Sequence, residues 1–185
     1  MFFRSLDIPG AYLLELELLE DERGFFARAW CAREFEARGL NPRLVQCSIS
    51  FNKQRGILRG LHFQTRPHEE AKLVRCTSGG IYDVIVDLRT DSTTFRQWIA
   101  IELTAENHRM LYIPEGCAHG FQTLRDRTEV FYQMSEFYEP RAVRGVRWDD
   151  PALAIRWPLS QPILSERDLG LPILADALKT SAEGR

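Results

Sequence analysis

The chain has no run approaching the roughly 18 consecutive apolar residues that mark a membrane-spanning helix, so no transmembrane segment is expected. It has no C-x-x-C. Its four cysteines, Cys31, Cys47, Cys76 and Cys117, lie far apart, which speaks against a disulfide framework or a thiolate zinc site and for four reduced thiols. It has no basic excess either: 24 Lys and Arg stand against 26 Asp and Glu, for a formal charge of −2. A general nucleic-acid binder needs surplus cations for the phosphates, so nucleic acid is not an expected partner. There is no P-loop, no G-x-G-x-x-G and no G-x-S-x-G, which removes the common phosphate-binding loops and the serine nucleophile elbow. The opening Met1-Phe2-Phe3-Arg4-Ser5-Leu6-Asp7 is charged too soon for a secretory leader, and a cytoplasmic protein is the expectation.

What remains is a globular composition, 44% apolar and 27% charged over 185 residues. A chain of this size can bury about 70% of its unfolded surface in one core. A single domain over 1–185 is expected, its tail frayed over about 179–185. Most of the sequence reads as short strands between turn signals. In 11–20, Leu14, Leu16 and Leu18 alternate with Leu13, Glu15 and Glu17, a period of two. Further strands are predicted at 43–51, 57–64, 72–76, 80–89, 97–104, 109–113, 119–124 and 128–135, separated by turns such as Ser78-Gly79-Gly80 and Pro114-Glu115-Gly116. Between Ile81 and Leu88, Tyr82, Val84, Val86 and Leu88 share one face, and Ile81, Asp83, Ile85 and Asp87 the other. The rhythm predicts an all-β antiparallel sandwich or barrel with short peripheral helices. One helix is expected over 31–39, stopped by Gly39, and Ser165 is placed to cap another near the C-terminus. The Pro- and Trp-rich stretch from Pro140 to Pro162 reads as an ordered loop packed on the barrel.

The chemistry-bearing residues sit in otherwise apolar strands: Arg59, His62 and Gln64 in RGLHFQ, Lys72 in KLVR, His119 in PEGCAHGF and Tyr132 in VFYQ. Singly, each has a structural role open to it. A strand histidine is often a hydrogen-bonded core residue, Lys72 a rim lysine and Tyr132 a core tyrosine. Jointly, ionisable groups converging on one barrel interior point to a site, because each is costly there alone. Three readings follow. The first is metal-free acid–base catalysis, with His62 as base, Lys72 or His119 stabilising negative charge and Tyr132 as acid. The second is a metal-dependent barrel using His62, His68, Glu69 or Glu70, and His119. It is weakened by the absence of His-x-His, since Gln64 stands two residues after His62. The third is a sugar-binding barrel without turnover. Arg59 and His62 are an odd number of positions apart. If both reach one pocket, Gly60 must mark a bulge that resets the alternation.

At these residues the sequence resembles the dTDP-4-dehydrorhamnose 3,5-epimerases of the cupin superfamily, from about residue 3 to about residue 168. The similar segments are DERGFF from Asp21, RGLH from Arg59, KLV from Lys72, IPEG from Ile113 with AHGF from Ala118, and RGVRWDDP from Arg144. The resemblance implies a jelly-roll homodimer with no cofactor and no catalytic metal. It implies inversion of carbon next to the C4 ketone of a nucleotide-linked 4-keto-6-deoxy sugar, with single-carbon inversion at C3 or C5, or another nucleotide, as the alternative. It assigns His62 as proton acceptor, Tyr132 as proton donor and Asp168 as the acid orienting the histidine. Arg59, Lys72 and His119 match substrate-binding positions, and Phe26 an aromatic of the substrate cleft. Arg23 and Arg167 match phosphate or nucleotide contacts, and Tyr138 the ring that stacks on the base. The chain departs from the family pattern at Arg28, where Glu is usual, at Cys47-Ser48 for Asp-Asn, at Val143 for Glu, and at Gln133, where Lys is common. These changes fall mainly on the nucleotide side.

Overall fold

The computed structural model describes residues 1–182. In chain order the strands are β1 (Phe2–Ser5), β2 (Tyr12–Glu15), β3 (Leu19–Asp21), β4 (Gly24–Phe26), β5 (Gln46–Asn52), β6 (Leu58–Gln64), β7 (Lys72–Ser78), β8 (Gly80–Asp87), β9 (Trp98–Thr104), β10 (Met110–Ile113), β11 (Cys117–Thr123), β12 (Thr128–Met134) and β13 (Val143–Gly145). The helices are α1 (Ala32–Glu36), α2 (Glu166–Leu169) and α3 (Leu174–Ala182). A six-stranded sheet, ordered β1-β2-β10-β7-β12-β5, faces a five-stranded sheet, ordered β13-β6-β11-β8-β9, and every pairing within them is antiparallel. This is the expected jelly roll.

The period-two pattern explains the layers. Leu13, Val74, Leu111 and Val130 point inward from the large sheet and meet Ile81, Ile85, Leu103 and Phe121 of the small one. Truncating a buried residue such as Phe121 to alanine costs about 3–5 kcal/mol. The opposite face of β8 carries Val84 and Val86, covered by Val146, Leu153, Leu174 and Ala177 of the C-terminal segment. The Pro140–Pro162 stretch thus packs on the barrel as expected. On the outer face of the large sheet, Phe35 and Leu40 cover Leu14, Leu73, Met110 and Tyr112.

Three local readings change. The strand expected over 11–20 is two. β2 ends at Glu15, where its pairing with β1 and β10 ends, and Leu19 pairs with Phe26 in a separate β3–β4 hairpin. Leu13 and Leu14 are both wholly buried, one in each core, so β2 is apolar on two faces rather than one. The first helix spans Ala32–Glu36 only, with Gly39 beyond it at φ +67° in the left-handed conformation that ends helices. The C-terminal helix is split by Gly170 and Pro172 into α2 and α3. Ser165 caps α2 as expected, its Oγ accepting from the Asp168 N–H at 3.1 Å. Of the tail expected to fray, 183–185 lie outside the described residues, and α3 runs to Ala182. Among the described residues no helix is long and apolar enough to cross a membrane.

Candidate active site

The glycine in RGLH sets the site. Gly60 has φ +122°, and a Cβ there would lie 2.6 Å from Gly120 Cα and 2.8 Å from the His119 carbonyl oxygen. The two backbones therefore touch only because both positions are glycine. Opposite Gly60 the β6–β11 register shifts between His119 and Phe121. This is the bulge the odd spacing demands, and it puts Arg59 and His62 in one cleft. It also leaves His62 and His119 as direct cross-strand partners.

The cleft, about 350 Å³, opens between the two sheets and is lined by Arg59, His62, Lys72, His119, Tyr132 and Asp168, with Ser48, Ser50, Phe121, Ser165 and Arg167. Its walls differ. His62 (β6) and His119 (β11) come from the small sheet, whereas Lys72 (β7) and Tyr132 (β12) come from the large one. His62 and Tyr132 therefore stand on opposing walls. The rings of His119 and Tyr132 meet edge-on with centroids 6.1 Å apart.

Four of the cleft's ionisable side chains are held by a neighbouring carboxylate or amide. His62 Nε2 lies 2.7 Å from Asp168 Oδ1. Burial pushes the Asp168 carboxyl up, but the His62 hydrogen bond and charge, with Ser165, outweigh it and hold the carboxyl below its ordinary range. An ionised carboxylate only accepts, so Nε2 carries the proton. Nδ1 is then the free acceptor, with no hydrogen bond to any described residue. His119 Nε2 is 2.7 Å from Asp83 Oδ1. The Lys72 ammonium is 2.9 Å from Glu70 Oε1, and the Arg59 Nε–H donates to Asn52 Oδ1 at 2.8 Å. Burial, aided by the charge of Asp83, drives the Tyr132 phenol far above its ordinary value, so it keeps its proton.

Seven of the ten site residues predicted from sequence thus line one cleft: His62, Tyr132, Asp168, Arg59, Lys72, His119 and Arg167. Three do not. Arg23 is exposed and pairs with Asp21 at the tip of the β3–β4 hairpin. Phe26 is 70% exposed on the same hairpin. Tyr138 is exposed at the rim, its N–H donating to Gln46 Oε1, two residues before Ser48 of the cleft. Arg28 pairs with Glu34, away from the cleft. The set weighed as metal ligands is not assembled. His68 lines a different hollow beside Arg66 and Glu139, Glu69 pairs with Arg66, and Glu70 with Lys72. Among the described residues no three His, Cys, Asp and Glu side chains are grouped to hold an ion. Asp83 and Glu70 were missed as partners. The signal for Asp83 was its place on the inward face of β8 beside Ile81 and Ile85, where a carboxylate needs a reason to be.

Residues 5–176 match the family model described as dTDP-4-dehydrorhamnose 3,5-epimerase. The chain belongs to that family. Its activity class is accordingly that of an isomerase. The dTDP-4-dehydrorhamnose 3,5-epimerase of Pseudomonas aeruginosa is 45% identical over 174 residues, 93% of this chain and 95% of that one. The crystal structure of the Bacillus anthracis enzyme with TDP and PPi bound superposes with a TM-score of 0.90 at 44% identity, covering 94% of this chain and 99% of that one. The Legionella pneumophila enzyme in complex with dTDP-4-keto-L-rhamnose gives 0.88 at 37% identity, covering 94% and 93%. The fold expected of this family, an antiparallel jelly roll, is the one observed.

Proposed function

We propose that this protein inverts the carbons flanking the C4 ketone of a dTDP-linked 4-keto-6-deoxy sugar, by proton transfer without a metal. The observation that carries this reading is the placement of the Asp168-backed His62 and the protonated Tyr132 on opposing walls of one cleft. A C–H next to a ketone is acidic because its loss gives an enolate. His62 Nδ1 takes that proton. The ammonium of Lys72 stabilises the developing oxyanion, an interaction strengthened in a site screened from water. Tyr132 then returns a proton to the other face of the carbon, and that change of face is the inversion. Arg59 and Arg167 are the cations in reach of the diphosphate, suited by their forked geometry to phosphate oxygens.

The reading includes a homodimer. On the outer face of the large sheet, Ile49 is 64% and Phe51 46% exposed on edge strand β5. An apolar edge strand left exposed is a surface suited to pairing with another chain. A second protomer seated there offers its exposed β3–β4 hairpin to the neighbouring cleft, which brings Arg23 and Phe26 to the substrate. Tyr138 at the rim stacks on the base. Stacking tolerates any base, whereas contacts at its edge do not, so Cys47, Ser48 and Val143 bear on which nucleotide is preferred.

The test is turnover of dTDP-4-keto-6-deoxyglucose by protein dialysed against chelator, with both flanking carbons followed by NMR. Undiminished inversion at both supports the reading. Activity that requires added zinc, iron or manganese overturns the metal-free mechanism. Inversion at one carbon alone replaces the double inversion with a single one.

A further inference from the structure

A hydrogen-bond chain runs from Arg59 to Tyr132 through two residues to which the reaction above gives no task. Asn52 ends β5 and is buried. Its Oδ1 accepts the Arg59 Nε–H at 2.8 Å, a bond that crosses from the large sheet to the small one. A guanidinium only donates, so the orientation of the amide is set, with its oxygen toward Arg59. Its nitrogen faces three acceptors: the Ser50 carbonyl at 3.1 Å, the Thr128 carbonyl at 3.2 Å and Ser50 Oγ at 3.4 Å. The two N–H groups serve all three, one being shared between the two oxygens of Ser50. An amide nitrogen accepts nothing, so the Ser50 hydroxyl cannot donate its own proton there. That residue lines the cleft and is hydrogen-bonded to the Tyr132 phenol. Burial and the charge of Asp83 raise the phenol, whereas the charge of Arg59 and the Ser50 bond pull it the other way. A hydrogen bond that favours the ionised phenol is one in which Ser50 donates.

We propose that Asn52 and Ser50 are positioning residues that aim a hydroxyl at the Tyr132 oxygen, so that the phenolate left when Tyr132 gives up its proton is met by a donor. In that step the Tyr132 O–H bond breaks, and the enolate C=C pair forms the new C–H bond. The electron pair on the enolate oxygen returns to the carbonyl, and the negative charge passes to the phenol oxygen. His62 and Tyr132 then reset by exchange with water. The Ser50 O–H faces the new charge with no reorganisation, because Asn52 already fixes where it points. Arg59 is the positive end of the chain. It is anchored at Nε, and its two terminal nitrogens have no hydrogen bond to any described residue, which leaves them for the diphosphate. The inference rests on the epimerase reading and deepens it: the acid is Tyr132 together with an oriented donor.

The experiment compares wild type, Ser50→Ala and Asn52→Asp in D2O with dTDP-4-keto-6-deoxyglucose. NMR follows deuterium entry and inversion separately at the first carbon to exchange. Ser50→Ala leaves His62 and Asp168 as they are, so exchange should continue. Inversion should slow roughly tenfold to a hundredfold, the loss of one hydrogen bond to a charged group, and the ratio of exchange to inversion should rise by the same factor. KM should change little, because Asn52 still holds Arg59. Asn52→Asp should raise the ratio with its serine intact, because a carboxylate still accepts from Arg59 but now takes the Ser50 proton as well. A merely structural role would slow exchange and inversion together. A wild-type ratio in Ser50→Ala, whether both rates fall or neither does, overturns the proposal. So does a wild-type ratio in Asn52→Asp. A wild type that neither exchanges nor inverts overturns the epimerase reading itself, an outcome distinct from an active wild type whose ratio Ser50→Ala matches.

Discussion

Replacing Gly60 by alanine perturbs the one backbone position on which the cleft depends. The new methyl would sit 2.6 Å from Gly120 Cα and 2.8 Å from the His119 carbonyl oxygen, both backbone atoms. Carbon contacts settle at about 3.5–4.0 Å, so β6 and β11 must separate by about 1 Å. A side chain at φ +122° adds a conformational penalty, of order 1–2 kcal/mol. Overpacking costs about 1–3 kcal/mol more, for a total of about 2–5 kcal/mol. For a chain of this length that lowers Tm by on the order of 10 °C. The same displacement moves Arg59 and His62 relative to each other, and a shift of about 1 Å in reacting groups costs roughly a hundredfold in rate. Gly39→Ala is the control. It too has a positive φ, +67°, but nothing lies within 4 Å of its Cβ. It should lose about 1 kcal/mol and no activity. The assays are calorimetry and epimerase turnover of the two variants. If Gly60→Ala melts and turns over like Gly39→Ala, the close approach of β6 and β11 does not organise the site.

Other perturbations test separate parts. Burial raises the Asp87 carboxyl, but two guanidinium hydrogen bonds from Arg89, the hydroxyls of Ser92 and Thr94 and the Arg89 backbone N–H outweigh it and bring it to about 2. A depressed carboxyl stabilises the fold fully above its unfolded pKa of about 4, and that contribution is lost as pH falls toward about 2. Urea titrations should show about 2 kcal/mol of acid sensitivity that Asp87→Asn abolishes, and equal pH profiles would contradict it. Ile49→Asp should convert a dimer to a monomer in light scattering; a dimer that survives places the interface elsewhere. Burial raises the thiols of Cys76 and Cys117 to about 11 and about 12. Both should resist a thiol reagent until the protein unfolds, and rapid labelling of either would show that the core is not closed over it.

Much of this was legible from periodicity. The alternation in Ile81–Leu88 divides between the two cores as read, with Ile81 and Ile85 inside and Val84 and Val86 beneath the C-terminal segment. The RGLH spacing foretold the bulge at Gly60, because a pocket residue out of phase with its strand needs a local reset. β1 and β13 were not foreseen. Each is a short strand at a sheet edge, where half the pairing groups have no partner and the pattern of burial is weak. The β3–β4 hairpin was hidden by continuous leucine alternation, since periodicity reports which faces are apolar and not where a partner strand ends. In the site, His62 and Tyr132 stood out as ionisable groups in apolar strands, and the family resemblance supplied Asp168. The pairings of Lys72 with Glu70 and of His119 with Asp83 depend on the β6–β7 loop and on cross-strand register, which no local pattern encodes. The positions of Arg23 and Phe26 outside the cleft follow from their place on an exposed hairpin that forms its own two-stranded sheet.

The central claim is that base and acid face each other across the substrate, and solvent-deuterium incorporation tests it most directly. Wild type, His62→Ala and Tyr132→Phe are each incubated in D2O with dTDP-4-keto-6-deoxyglucose, and NMR reads label and configuration at C3 and C5. The account predicts label with inversion for the wild type and neither for His62→Ala, where no enolate forms. For Tyr132→Phe it predicts label with retained configuration at the first carbon to exchange, because deprotonation survives and delivery from the far wall does not. Full exchange and inversion by His62→Ala, or undiminished inversion by Tyr132→Phe, would contradict it.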